Sequence, residues 1–284
     1  MTEQEKLIGE HPKTPHVLGE WLGYADQPTT VTKKHRKLTE NDDLRKKAID
    51  RIADWITTHH VSDHKIELLK RKALILKKYN FDQYVESQHL LPTVDKTMKG
   101  NIAEIILVEY LKESTSYTPF IYKLRYNTNV EQSMKGDDVL LFNPVNVYEK
   151  VIYGESKYRS KPLKKAIEDA VANLEKSKKL PVSIGFVADR LYDMGEGAIA
   201  DILMDLQGLL KDEKFIVNNV GFLLCTSSTI PSKDTFLQVE KHLTTTNPNL
   251  VFMSLGLDNP SEIVEESFRL ARERLLSIKL DETN

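Results

Sequence analysis

The chain has 284 residues, of which 40% are hydrophobic and 29% charged, with a net charge of −2. That size allows one large domain or two modest ones with real cores, and the balance is that of a globular chain rather than a disordered one. It excludes a polycation that coats nucleic acid by bulk charge, while leaving room for a local basic surface. No apolar run reaches the roughly 20 residues of a membrane helix. The opening "MTEQEKLIGEHPKT" lacks a basic segment followed by an apolar one, so no secretory signal is expected. Cys225 is the only cysteine, which rules out an intrachain disulfide and fits a reducing cytoplasm. Inside "VGFLLCTS" it reads as a buried, inert thiol.

The first forty residues mix Pro, Gly, Thr and charge, and are expected to be irregular with at most short helices. They contain a basic cluster, Lys33 to Lys37, and Trp21, which is expected to pack on the core or a partner. From Glu40 the pattern becomes helical, with Leu44, Ala48, Ile49, Ile52, Trp55 and Ile56 on one face. A second helix follows in "SDHKIELLKRKALILKKYN", with Ser62 or Asp63 as its cap. Residues 1–90 therefore read as a mainly helical N-terminal region, and residues 91–284 as the main α/β domain with a C-terminal strand–helix extension.

"TVDKTMKGNIAEIILVEYLKES" predicts a helix apolar on nearly all sides. Three strands are expected next, in "PFIYKLRYNTN", "DDVLLF" and "NVYEKVIYGESKY". "PLKKAIEDAVANLEKSKK" is an amphipathic helix, "PVSIGFVAD" a fourth strand, "GAIADILMDLQGLLKD" a helix and "VGFLLCTS" a strand. "NLVFMSLGL" is a last strand, and the final helix opens with Pro260 in its first turn. This order specifies an α/β fold with a mixed sheet flanked by helices.

Alternation along a strand puts Glu155 and Lys157 on one side and Ser156 on the other. If the segments holding Asp138 and Glu155 pair antiparallel, two carboxylates and an ammonium meet at one sheet edge. Mg²⁺ favours carboxylate oxygens with water and phosphate oxygens. A lysine beside it can orient or deprotonate an attacking water and offset charge on phosphate. Glu104 interrupts an otherwise buried helix face and needs a partner there. Glu109 interrupts the same helix but has Lys112 three residues on. The plain alternative is that "KGDD" is a polar turn and "ESK" an exposed strand end.

Together, Gly100 and Glu104 in the helix, "GDDVLLF" and "GESK" resemble the PD-(D/E)xK nuclease superfamily over residues 95 to 190. The resemblance implies a restriction-endonuclease-like α-β-β-β-α-β core and a catalytic set of Glu104, Asp138, Glu155 and Lys157. Asp138, Glu155 and the Ser156 carbonyl would bind Mg²⁺ or Mn²⁺, with Glu104 and Asp137 as further candidate ligands. The proline of the superfamily motif is absent before Asp137–Asp138.

More narrowly, the whole chain is similar to the HamA family, nuclease subunits of Hachiman antiphage systems. The similarity lies in the helical N-terminal region, "KGNIAEIILVEYL", "KGDDVLLF", "YGESKYR" and "SIGFVADR". It implies DNA as substrate and a superfamily 2 helicase (HamB-like) in a hetero-complex, with the nuclease released during infection. A non-catalytic adaptor of nuclease fold and a restriction-type endonuclease are the competing readings.

Lys150, Arg159, Lys161, Lys164 and Lys165 surround the motif in sequence and are candidate phosphate contacts. Tyr153 and Tyr158 flank it and could stack on a base or pack. His59, His60 and His64 lack the cysteines and the frame of a zinc site, and "DMGEGAIAD" lacks the lysine and spacing of a phosphate-binding loop.

Overall fold

The computed structural model describes residues 1–75, 81–132, 136–179, 182–212 and 214–278. The ends of the second expected helix and of the last helix lie outside these residues, as do Pro181 of "PVSIGFVAD" and Met134 and Lys135 of the Asp-bearing motif. The N-terminal part contains α1 (Glu3–Ile8), α2 (Val17–Trp21), β1 (Leu22–Asp26), β2 (His35–Glu40), α3 (Arg45–His60), α4 (Asp63–Ile75) and α5 (Phe81–Ser87). It is followed by α6 (Asp95–Thr115), β3 (Val139–Phe142), β4 (Val151–Arg159), α7 (Lys164–Lys179), α8 (Val182–Asp193) and α9 (Gly197–Lys211). The chain then forms β5 (Val217–Thr226), α10 (Thr235–His242), β6 (Leu250–Leu257) and α11 (Pro260–Leu276). Among the described residues, no helix is long and apolar enough to cross a membrane.

The six strands form one mixed sheet in the order β1-β2-β6-β5-β4-β3. Its outer pairs, β1/β2 and β3/β4, are antiparallel, and the inner ones are parallel. Side chains alternate between two cores, as the pleat requires. Val220, Phe222, Val251, Met253 and Leu255 join the core beneath α3, α6 and α11, while Leu223, Cys225, Leu250 and Phe252 join the core beneath α7 to α10. Burial pushes the Cys225 thiol up to about 11, in keeping with an inert cysteine.

The α6 helix is buried from Asn101 to Leu111 because it is covered on both sides, by β4 and its neighbours on one and by α3 and α11 on the other. This is why its sequence is apolar all round. Trp21 is fully buried and donates its indole N–H to Glu40 at 3.0 Å.

Three expectations are corrected. The first forty residues hold β1 and β2, and β2 pairs parallel with β6. The sheet therefore draws strands from both sides of residue 90. "PFIYKLRYNTN" forms no named strand: it contributes a 3-10 turn at Lys123–Tyr126, preceded by an isolated bridge between Thr118 and Phe142. From Val182, "VSIGFVAD" is the start of α8, not a strand. Ile184, Val187, Ala188 and Leu191 recur at helical spacing and are all buried, packing on α9. That period wins over the short apolar run.

Candidate active site

The β3 strand has four residues and β4 has nine, so their antiparallel pairing ends at Val139 opposite Gly154. From Glu155 to Arg159, β4 pairs only with β5 and leaves its other edge free beside the Asp138 loop. Gly154 is required at the point of parting: a Cβ there would lie 2.7 Å from Val139 Cβ and 3.0 Å from Leu107 of α6. The close approach of helix to sheet brings Glu104 to the same edge. Asp138 closes the edge by accepting two hydrogen bonds on Oδ2, from the Ser156 N–H at 2.8 Å and the Ser156 hydroxyl at 3.0 Å.

Glu104, Asp138, Ser156 and Lys157 line one cleft, together with Lys96, Lys99, Gly100, Asn101, Tyr158 and Arg159. A second, more apolar cavity shares Glu104 and Asp138 and is walled by Asp137, Lys123, Tyr122 and Phe186. The two carboxylates thus form the partition between the cavities. Glu155 is buried beside them, ion-paired to Lys157 and accepting from the Asn173 amide of α7 at 2.7 Å.

Burial raises the pKa of Glu104 to about 8; the nearby Lys123 ammonium opposes the rise and the charges of Asp138 and Glu155 add to it. No hydrogen bond holds its carboxyl among the described residues. Glu155 is also raised, first by burial and then by Asp138, against the pull of Lys157 and Asn173. A cation in the cleft would relieve the repulsion that Asp138 exerts on Glu104 and Glu155. Among the described residues, no three His, Cys, Asp or Glu side chains form a ready-made metal cage.

The sequence-predicted residues separate clearly. Glu104, Asp138, Glu155, Ser156 and Lys157 come together. Asp137 is buried and reaches the neighbouring cavity, its N–H donating to the Ser183 hydroxyl at 2.9 Å and its carbonyl accepting from Lys123 at 2.7 Å. Arg159 lines the cleft mouth. Lys161, Lys164 and Lys165 are exposed on or just before α7 and do not line it. Lys150 precedes the far end of β4 and is not brought to the cleft; at about 3.3 Å per residue, it lies some 20 Å or more from Lys157. Tyr153 is fully buried in the core, while Tyr158 lines the cleft.

Sequence reasoning missed Lys96, Lys99, Asn101, Lys123 and Asn173. A signal for the first was available: Lys96, Gly100 and Glu104 are spaced four apart and share a helix face. Glu109 does pair with Lys112, at 2.9 Å, and also receives His59 at 2.8 Å.

A mixed six-stranded sheet flanked by helices, with carboxylates and a lysine gathered where β4 outruns β3, defines the chain as an α/β protein. Within this class the chain belongs to the HamA family, whose model matches residues 15–271. It is 39% identical over 276 residues to the Hachiman protein HamA of Bacillus cereus, an alignment covering 97% of this chain and 98% of that protein.

Proposed function

We propose that the chain is a metal-dependent DNA endonuclease of the PD-(D/E)xK type, the effector of an antiphage defence complex with a superfamily 2 helicase partner. The observation that carries this reading is the convergence of Glu104, Asp138 and Lys157 in one open cleft, with Glu155 held against Lys157 at its side. An exposed strand end would need no such burial of charge.

The donor set suits Mg²⁺ or Mn²⁺. These ions take one or two carboxylates and leave the remaining positions to water and substrate phosphate, so a closed protein cage is not required. Asp138 has one carboxylate oxygen outside its bonds to Ser156, and Glu104 has no competing donor. Asp138, Glu104, Glu155 and the Ser156 carbonyl would hold the ion, with Asp137 adjacent. Bound there, the cation supplies positive charge to a scissile phosphodiester. Lys157 orients the attacking water and offsets charge on the phosphate. Glu155, fixed by Asn173, holds that ammonium in place.

Incubating the purified chain with circular plasmid DNA in Mg²⁺ or chelator tests the reading, alone and with the helicase and ATP. Mg²⁺-dependent nicking that disappears in Lys157→Ala is expected. Full cleavage by Lys157→Ala would take the catalytic site out of this cleft, and no cleavage by the parent in any combination would leave the adaptor reading.

A further inference from the structure

Gly100 lies in the body of α6, where glycine destabilises a helix relative to alanine. Its backbone is ordinary helix, and a Cβ at this position meets no described atom within 4 Å. Neither local packing nor conformation therefore asks for glycine here. The bare surface instead faces the cleft, in the middle of the stripe from Lys96 at the mouth to Glu104 at the floor.

The surroundings of this patch are cationic. Lys96 is exposed, and Lys99 reaches along the mouth with its Nζ 2.7 Å from Asp95 and 5.6 Å from the Tyr158 ring centre. Lys157 and Arg159 of β4 form the facing wall. A carboxylate already lies at the start of the helix: Glu131 accepts from the N–H groups of Thr93 at 2.8 Å and Val94 at 2.9 Å, just before Asp95. An anion is thus drawn to the side of the helix, not to its end.

We propose that the bare face of α6 at Gly100, flanked by Lys96 and Lys99, seats the sugar–phosphate backbone of a nucleic-acid strand on its way to Glu104 and Asp138. The proposal rests on the nuclease reading and adds the strand's path, along α6 rather than along α7 with Lys161, Lys164 and Lys165. Without a side chain at Gly100 the strand approaches the helix backbone closely, and the lysines neutralise its phosphates.

The test uses the full chain and a fluorescein-labelled oligonucleotide, with Ca²⁺ in place of Mg²⁺, reading anisotropy over a salt series and melting temperature in parallel. Gly100→Ala should melt at or above the parent yet bind about tenfold more weakly, and Gly100→Gln more weakly still. Lys96→Gln with Lys99→Gln should lower the slope of log affinity against log salt by about two. Parent-like affinity in Gly100→Ala, or an unchanged salt slope in the lysine pair, overturns the proposal while leaving the nuclease reading intact. So does a Gly100→Ala chain that melts lower, since its weaker binding would then reflect packing. A parent that binds no oligonucleotide overturns the proposal as well, while the plasmid assay, alone and with the helicase, decides the nuclease reading separately.

Discussion

Ser156 gives both its backbone N–H and its hydroxyl to a single oxygen of Asp138, at 2.8 and 3.0 Å. The loop aspartate thereby occupies the hydrogen-bonding edge of β4 beyond the last β3 pair, Val139 opposite Gly154. Asp138→Asn retains an acceptor for both donors and loses only the charge. Its melting temperature should stay close to the parent's, with a cost of about 1 kcal/mol or less. Plasmid cleavage should fall by about a hundredfold or more, because a neutral amide would hold the divalent cation far less well than the carboxylate. Cleavage at the parental rate by a correctly folded Asp138→Asn would take this residue out of the site.

Glu155 and Lys157 are a mostly buried pair, with side chains 8% and 18% exposed. Removing one partner leaves the other charge poorly solvated, whereas removing both does not. Lys157→Ala should destabilise the chain by about 2 kcal/mol, while Glu155→Gln combined with Lys157→Met should cost less than the single change. Both should be inactive on plasmid. Urea midpoints decide it: a double variant that falls below the parent by the full sum of the two single losses would show that the two side chains do not act as a pair.

The parts of this site that were legible in sequence are local. Glu155 and Lys157 sit two apart on one strand, Asp138 stands at the start of the neighbouring strand, and Glu104 is conspicuous in a helix otherwise apolar on every side. What stayed hidden depends on distant pairing or on competing periods. β2 becomes a strand by docking on β6, more than two hundred residues later in the chain, and β1 by pairing with β2. Phe120 and Ile121 read as strand residues, yet they only line the α7 side of the core around a 3-10 turn. "SIGFVADR" contains an apolar run short enough for a strand, and only the spacing of Ile184, Val187, Ala188 and Leu191 marks α8. Asn173 gave no signal, because an amide on an amphipathic helix is ordinary until its partner, Glu155, is known.

The basic cluster at Lys33 to Lys37 is divided by β2. Arg36 is fully buried, donating to Asp26 at 2.7 and 2.9 Å and to the Gly9 carbonyl at 2.9 Å. Asp26→Ala leaves that guanidinium without its counter-charge. A loss of about 3 kcal/mol is expected, seen as a lower urea midpoint with little change in slope. A loss below about 0.5 kcal/mol would mean that Gly9 and Tyr110 satisfy Arg36 unaided.

His60 makes stability depend on pH. Its Nδ1–H donates to the Ile56 carbonyl at 2.9 Å, and its Nε2 lies 2.9 Å from the Asn101 amide nitrogen, a pattern that suits the neutral ring. Burial lowers its pKa from 6.5 to about 4. Between these values the unfolded chain takes up a proton that the folded chain refuses, so stability falls as pH drops from about 6.5 and levels off below about 4. The difference corresponds to about 3 kcal/mol at most. His59, lowered chiefly by burial despite its bond to Glu109, adds to the same slope. Urea unfolding of the parent and of His60→Gln between pH 4 and 7.5 separates the two contributions. The parent should lose more stability than the variant across that window, the variant keeping the share of His59. Parallel curves for the two proteins would show that His60 titrates alike in the folded and unfolded chains, and that the bond to Asn101 does not hold it neutral.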